Sequence, residues 1–160
     1  MDKVNLIYGV GDTLHTHLNI NPFTEEESEN IVRCDITNID KYVDDAELTE
    51  LVAMDVIDYV PIDKVDETLT NWVKKIRIGG SIIIGGTDLI EVAKSLAAYK
   101  IDITDANILI HGEQSRPYMI KRVNFTALGM CEYLEAVFNL KIIKKRVSNY
   151  QMTIEAKRAQ

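Results

Sequence analysis

Gly9-Val10-Gly11 closes a short β-rich run, Val4-Asn5-Leu6-Ile7-Tyr8. Glycines at such a place let the backbone adopt positive φ and approach a ligand closely. Further groups able to bind follow later apolar runs: Asn19 and Ile20 within His17–Ile20, Asp35 and Ile36 after Ile31–Cys34, and Asp55 and Val56 after Leu51–Met54. A carboxylate suits a ribose diol or an amine. Ligands of open parallel sheets bind outside the carboxyl ends of the strands, so residues of these types there point to a nucleotide-type cofactor. Each has a plainer reading. A lone Gly-x-Gly is a tight turn, Asp35 caps a local turn, and Asp55 with Asp58 favours a helix start after Pro61. A later polar segment, His111-Gly112-Glu113-Gln114-Ser115-Arg116-Pro117-Tyr118, supplies two candidates for acid–base work, His111 and Glu113.

Other chemistries are disfavoured. No third glycine and no helix of normal length follow Gly11, so the dinucleotide fingerprint fails, and the phosphate-loop lysine is missing. His15 and His17 straddle one residue without a third metal ligand at useful spacing. Cys34 and Cys131 lie far apart and read as small buried apolar residues. A net charge of -7 argues against a dedicated nucleic-acid binder, because phosphates are neutralised by a basic surface. The cluster Lys141, Lys144, Lys145 and Arg146 reads as a solvated strand edge. No apolar run approaches the roughly 18 residues that span a bilayer, and Met1-Asp2-Lys3 does not open a signal peptide, so the expectation is cytoplasmic.

The elements that must position these groups follow from periodicity. Residues 1–160, 46% hydrophobic and 27% charged, suit one globular domain. Strands are expected at Val4–Tyr8, His17–Ile20, Ile31–Cys34, Leu51–Met54, Ser81–Ile84 and Ala106–Ile110. Ile62, Val65, Leu69, Trp72, Val73 and Ile76 recur at helical spacing behind Asp63, a plausible N-cap, with Gly79-Gly80 as the stop. Trp72 there is core or a homodimer face. A second helix runs through Leu89, Ile90, Ala93, Leu96 and Ala97 behind Thr87 or Asp88, and a third spans Phe125–Asn139. Strands at Leu140–Val147 and Gln151–Ala156 pair across Ser148-Asn149-Tyr150 as a hairpin. The fold class is therefore α/β: a Rossmann-like, mainly parallel sheet with helices on both faces and a C-terminal antiparallel hairpin. Only Asp12–Thr16 separate the glycine turn from the second strand, so either the first crossover helix is lost or the first strand pairs differently.

Over most of its length this pattern resembles the class I S-adenosylmethionine-dependent methyltransferases of the compact bacterial and phage type. Leu6-Ile7-Tyr8-Gly9-Val10-Gly11 is similar to their first motif, and Leu18-Asn19-Ile20-Asn21-Pro22 to their second strand, with Asn19 where an acidic ribose ligand is usual. Ile31–Ile36 resembles the third strand, whose terminal Asp faces the adenine, and Met54–Pro61 the segment lying along the cofactor. Arg77–Ile84 is the most family-like piece. The resemblance implies S-adenosyl-L-methionine as cofactor, held by Tyr8, Gly9, Gly11, Asn19, Ile20, Asp35, Ile36, Asp55 and Val56. It implies methyl transfer to a small molecule or sugar, with His111 or Glu113 as base. A non-catalytic module of the same fold, binding a ligand or partner, stays open because of Asn19 and the short first crossover.

Overall fold

In the computed structural model, which describes residues 1–160, the chain opens with β1 (Lys3–Leu6), β2 (Leu18–Ile20), β3 (Ile31–Val32) and β4 (Leu48–Ala53). It continues through α1 (Val65–Lys75), β5 (Ile76–Thr87), α2 (Leu89–Ala97), α3 (Ile103–His111), α4 (Ala127–Phe138), β6 (Lys141–Ser148) and β7 (Gln151–Lys157). The strands form one seven-stranded sheet in the order β3-β2-β1-β4-β5-β7-β6. β1 to β5 are parallel, and β7 joins β5 and β6 antiparallel. This is the Rossmann-like sheet with a C-terminal hairpin that the sequence implies. Asn149 and Tyr150, both with positive φ, make the hairpin turn, whose hand matches the strand twist.

The two faces of the sheet are dressed differently. Cross-strand rows such as Ala53, Ile84 and Ile154 are 0% exposed and meet Leu69 and Trp72 of α1 and Leu134 of α4. Trp72 is core and not a dimer face: it is 0% exposed, and its indole N–H donates to the Ile36 carbonyl at 2.7 Å. On the other face the first crossover, residues 7–17, contains no helix, so of the two alternatives the lost helix is the one observed. Side chains replace it. Asn5 donates to the Asp12 carbonyl at 3.0 Å, and the Asn19 amide donates to the carbonyls of Leu14, His17 and Asn30. His17 is buried between Glu50 at 3.0 Å and Thr16 at 2.9 Å.

Several boundaries differ from expectation. Ala106–Ile110 is helical, part of α3, because Asp102 and Asp105 form a capping box at its start. α1 is not capped by Asp63, which lies in a preceding 3-10 turn; Asp66 and Glu67 at its start and Lys74 and Lys75 at its end suit the helix dipole instead. Gly79-Gly80 does not stop α1, which ends at Lys75, but lies inside β5. A Cβ on Gly80 would sit 2.7 Å from the Leu48 carbonyl oxygen, so the glycine lets β5 approach β4 at their register shift. Asp88, not Thr87, caps α2: one oxygen accepts from Glu91 N–H at 3.0 Å and the other from Ala127 N–H of α4 at 2.8 Å. Cys131 is buried as expected, whereas Cys34 is only half-buried beside the loop after β3. No helix is long and apolar enough to cross a membrane.

Candidate functional site

Strand order reverses between β1 and β4, the point at which open α/β sheets bind ligands beyond the strand ends. β1 leads there into Tyr8 and Gly9. Gly9 has φ +79°, and Asn21, just past β2, clamps it at both ends: Gly9 N–H donates to Asn21 Oδ1 at 3.1 Å, and Asn21 Nδ2 donates to the Gly9 carbonyl at 3.2 Å. Asn21 is thus the polar strand-end residue of β2. Asn19, two positions earlier, is 0% exposed with its amide spent on the crossover, and Ile20 is core.

Aromatic rings gather over this turn. Tyr8 stacks on Tyr59 with centroids 4.7 Å apart and meets Phe23 and Tyr118 edge-on. Phe23 and Tyr118 stack on each other at 3.7 Å. A Cβ on Gly9 would lie 2.5 Å from Tyr118 Cε2, so the tyrosine ring rests directly on the glycine.

Two cavities adjoin the Tyr8–Tyr59 stack. The first, about 340 Å³, is lined by Asp35, Ile36, Thr37, Pro61 and Arg122 beside the two rings. Asp35 Oδ1 accepts from the Thr37 amide at 2.9 Å and hydroxyl at 2.8 Å, so the turn-capping reading holds for that oxygen. The second, about 350 Å³, is lined by Asp55, Thr87, Leu109, Glu113, Lys121 and Gln151. Asp55 adopts φ +57° and accepts from Gln151 Nε2 at 2.9 Å. Gly11 and Asp55 also border a third space of about 310 Å³ beneath the turn, beside the helix-free crossover. Val56 is 0% exposed in the core. Glu113 reaches the second cavity; His111, the last residue of α3, does not line it.

Lys121 braces the second cavity. Its ammonium donates to Thr87 Oγ1 at 2.6 Å and the Leu109 carbonyl at 3.1 Å, and lies 3.5 Å from Asp58 Oδ2. Asp58 is buried and accepts from the Thr87 amide at 3.0 Å. Burial pushes its carboxyl above the usual range, against the pull of Thr87 N–H and Lys121. Burial also raises the Tyr59 phenol, helped by the carboxylates of Asp58, Asp55 and Glu113. The Asp58 carbonyl accepts from Arg122 and Val123 N–H, tying the 112–126 strap to the site. Sequence reasoning did not name Asn21, Phe23, Lys121 or Gln151 as site residues, and covered Tyr59 only within the Met54–Pro61 segment. Only Asn21, adjacent to Pro22 at a strand end, carried a local signal.

Among solved structures, 1,6-didemethyltoxoflavin-N1-methyltransferase of Burkholderia thailandensis, bound to 1,6-didemethyltoxoflavin and S-adenosylhomocysteine, superposes with a TM-score of 0.61 at 14% identity, over 98% of this chain and 71% of that one. A SAM-dependent methyltransferase from Methanosarcina mazei gives 0.61 at 10% identity over 98% and 92%. Another, from Archaeoglobus fulgidus, gives 0.56 at 14% over 97% and 85%. The fold is that of the class I methyltransferases. No protein-family profile matches the chain, and no curated protein matches its sequence. In this methyltransferase fold the glycine turn, Asp35 and Asp55 share the carboxyl edge of the sheet, while Asn19, Ile20 and Val56 face the interior.

Proposed function

We propose that the chain is an S-adenosylmethionine-dependent methyltransferase acting on a small molecule. The observation that carries this reading is the pair of cavities, about 340 and 350 Å³, meeting at the Tyr8–Tyr59 stack on the carboxyl edge of the sheet. The donor set suits a cationic nucleoside. Asp35 and the faces of Tyr8 and Tyr59 would hold the adenosine, and the carboxylates of Asp55 and Glu113 at the second cavity favour a positive charge nearby. A structural neighbour with S-adenosylhomocysteine and a small-molecule substrate bound supports the assignment.

When bound, the cofactor supplies an activated methyl group. The chain's own part is to align the acceptor and exclude water. Glu113, at the second cavity, is the carboxylate placed to take the proton that an acceptor hydroxyl or amine loses. Lys121, held by Thr87 and Leu109, keeps the strap that carries Glu113 against the end of β5.

One observation favours a second reading, a binding module of the same fold without transfer: Tyr118, stacked on Phe23, already covers Gly9. Calorimetric titration with S-adenosylmethionine and S-adenosylhomocysteine, with NAD and ATP as controls, separates the two. Binding of the first pair is expected, and Asp35→Ala should weaken it by about tenfold, the worth of one charge-assisted hydrogen bond. No heat from either compound at millimolar concentration overturns the enzyme reading.

A further inference from the structure

On the face opposite α1 and α4, the helix-free crossover bonds to and buries Asn5 and Asn19, and Val52 is buried beside them, whereas the β5–β7–β6 part stays partly open. Register places Val52, Ile83, Glu155 and Lys144 in one cross-strand row on that face. Ile83 is only partly buried, whereas Ile82 and Ile84, pointing the other way, are 0% exposed. Parallel strands are ordinarily covered on both faces, because they lack the polar alternation of a half-solvated sheet. Here the alternation is incomplete. Ser81, Thr153 and Glu155 share the open part of the face with the apolar Ile83, and the neighbouring Val52 is buried.

Charge is spread unevenly across the same sheet. β6, at one edge, exposes Lys141, Lys144, Lys145 and Arg146. The β2–β3 crossover, at the other, exposes Glu25, Glu26, Glu27 and Glu29. We propose that two copies of this chain stack by this face, about a two-fold axis parallel to the strands, so that the open β5–β7–β6 part of each receives the loop-covered half of the other and the basic β6 edge meets the glutamate segment. The charges select the axis. A two-fold parallel to the strands exchanges the left and right edges, so β6 of one copy faces the β3 side of its partner. A two-fold across the strands would set β6 against β6 and oppose like charges. In the chosen arrangement every charge contact occurs twice, as in any isologous interface, and Ile83 is covered near the middle of the sheet.

The test is sedimentation equilibrium of the full chain with charge-reversed variants, their folding checked by circular dichroism melting. The parent is expected to be a dimer at low salt and to dissociate about tenfold more readily at high salt, since exposed charges are screened there. Lys144→Glu/Arg146→Glu should be monomeric, and so should Glu25→Lys/Glu26→Lys. Mixed in equal amounts, these two variants should recover a dimer, because each restores the opposite charge that the other lost. Ile83→Lys should be monomeric at any salt. A parent that stays monomeric assigns the lysines only to guarding a free strand edge and overturns the proposal. Dimers that survive both reversals, or a mixture that fails to associate, overturn it equally.

Discussion

Gly9 shows how much one residue carries at the turn. Its φ of +79° lies where a side chain costs about 1–2 kcal/mol, and the space above it is filled by Tyr118. Gly9→Ala should therefore lose that backbone cost plus a collision term in chemical denaturation. Adding Tyr118→Ala should recover the collision and leave the backbone cost; an unrecovered double variant would show that the ring does not rest on the glycine. The glycine turn, Asp35, Asp55 and Glu113 were legible because each is marked by its own residue type at the end of an apolar run. Asn19 was misassigned by two positions, since three-residue β2 is too short for alternation to reveal its inward-pointing residues. Tyr59 and Tyr118 lie in segments the sequence marks, Met54–Pro61 and His111–Tyr118, without being marked themselves, and Lys121 had no local mark. They become site residues only when the strap returns across the sheet and meets Thr87 and Asp58.

Among the elements, α3 is the instructive failure. Ala106–Ile110 reads as a strand, yet the run is helical and Ile108 is 46% exposed. Ala106 is the only buried residue of the helix, while Ile108 and Leu109 line the second cavity, so its apolar residues serve a cleft rather than a core stripe. The legible signal lay upstream, in the Asp102 and Asp105 capping box. Asp102→Ala should cost about 1 kcal/mol in chemical denaturation, the usual worth of an N-cap. An unchanged midpoint would mean that α3 is held by its packing alone. α1, α4 and the closing hairpin were readable because their apolar residues do meet one continuous core, which is the condition under which periodicity reports structure, whereas α2 lies outside that core and was marked by its Asp88 cap.

At the scale of the molecule, the sheet order was beyond reading, because pairing of β1 with both β2 and β4 depends on contacts distant in sequence. What the whole shows is a sheet whose first crossovers have lost their helices while the later ones keep them. That imbalance has a counterpart in time. β6 and β7 form a local hairpin against α4 and β5, whereas β1, β2 and β3 are joined by loops that offer no structure before the sheet exists to receive them. β2 and β3 are short strands at the sheet edge, whereas β5 and β7 pair from Ser81 to Thr87 within the sheet. Amide hydrogen exchange of the native chain should therefore open β2 and β3 by local fluctuation, well before the β5–β7 ladder, which exchanges only on global unfolding. Equal protection in both halves would refute this. The missing helices and short strands thus leave the end that carries Gly9 and Asn21 as the first part of the chain to loosen.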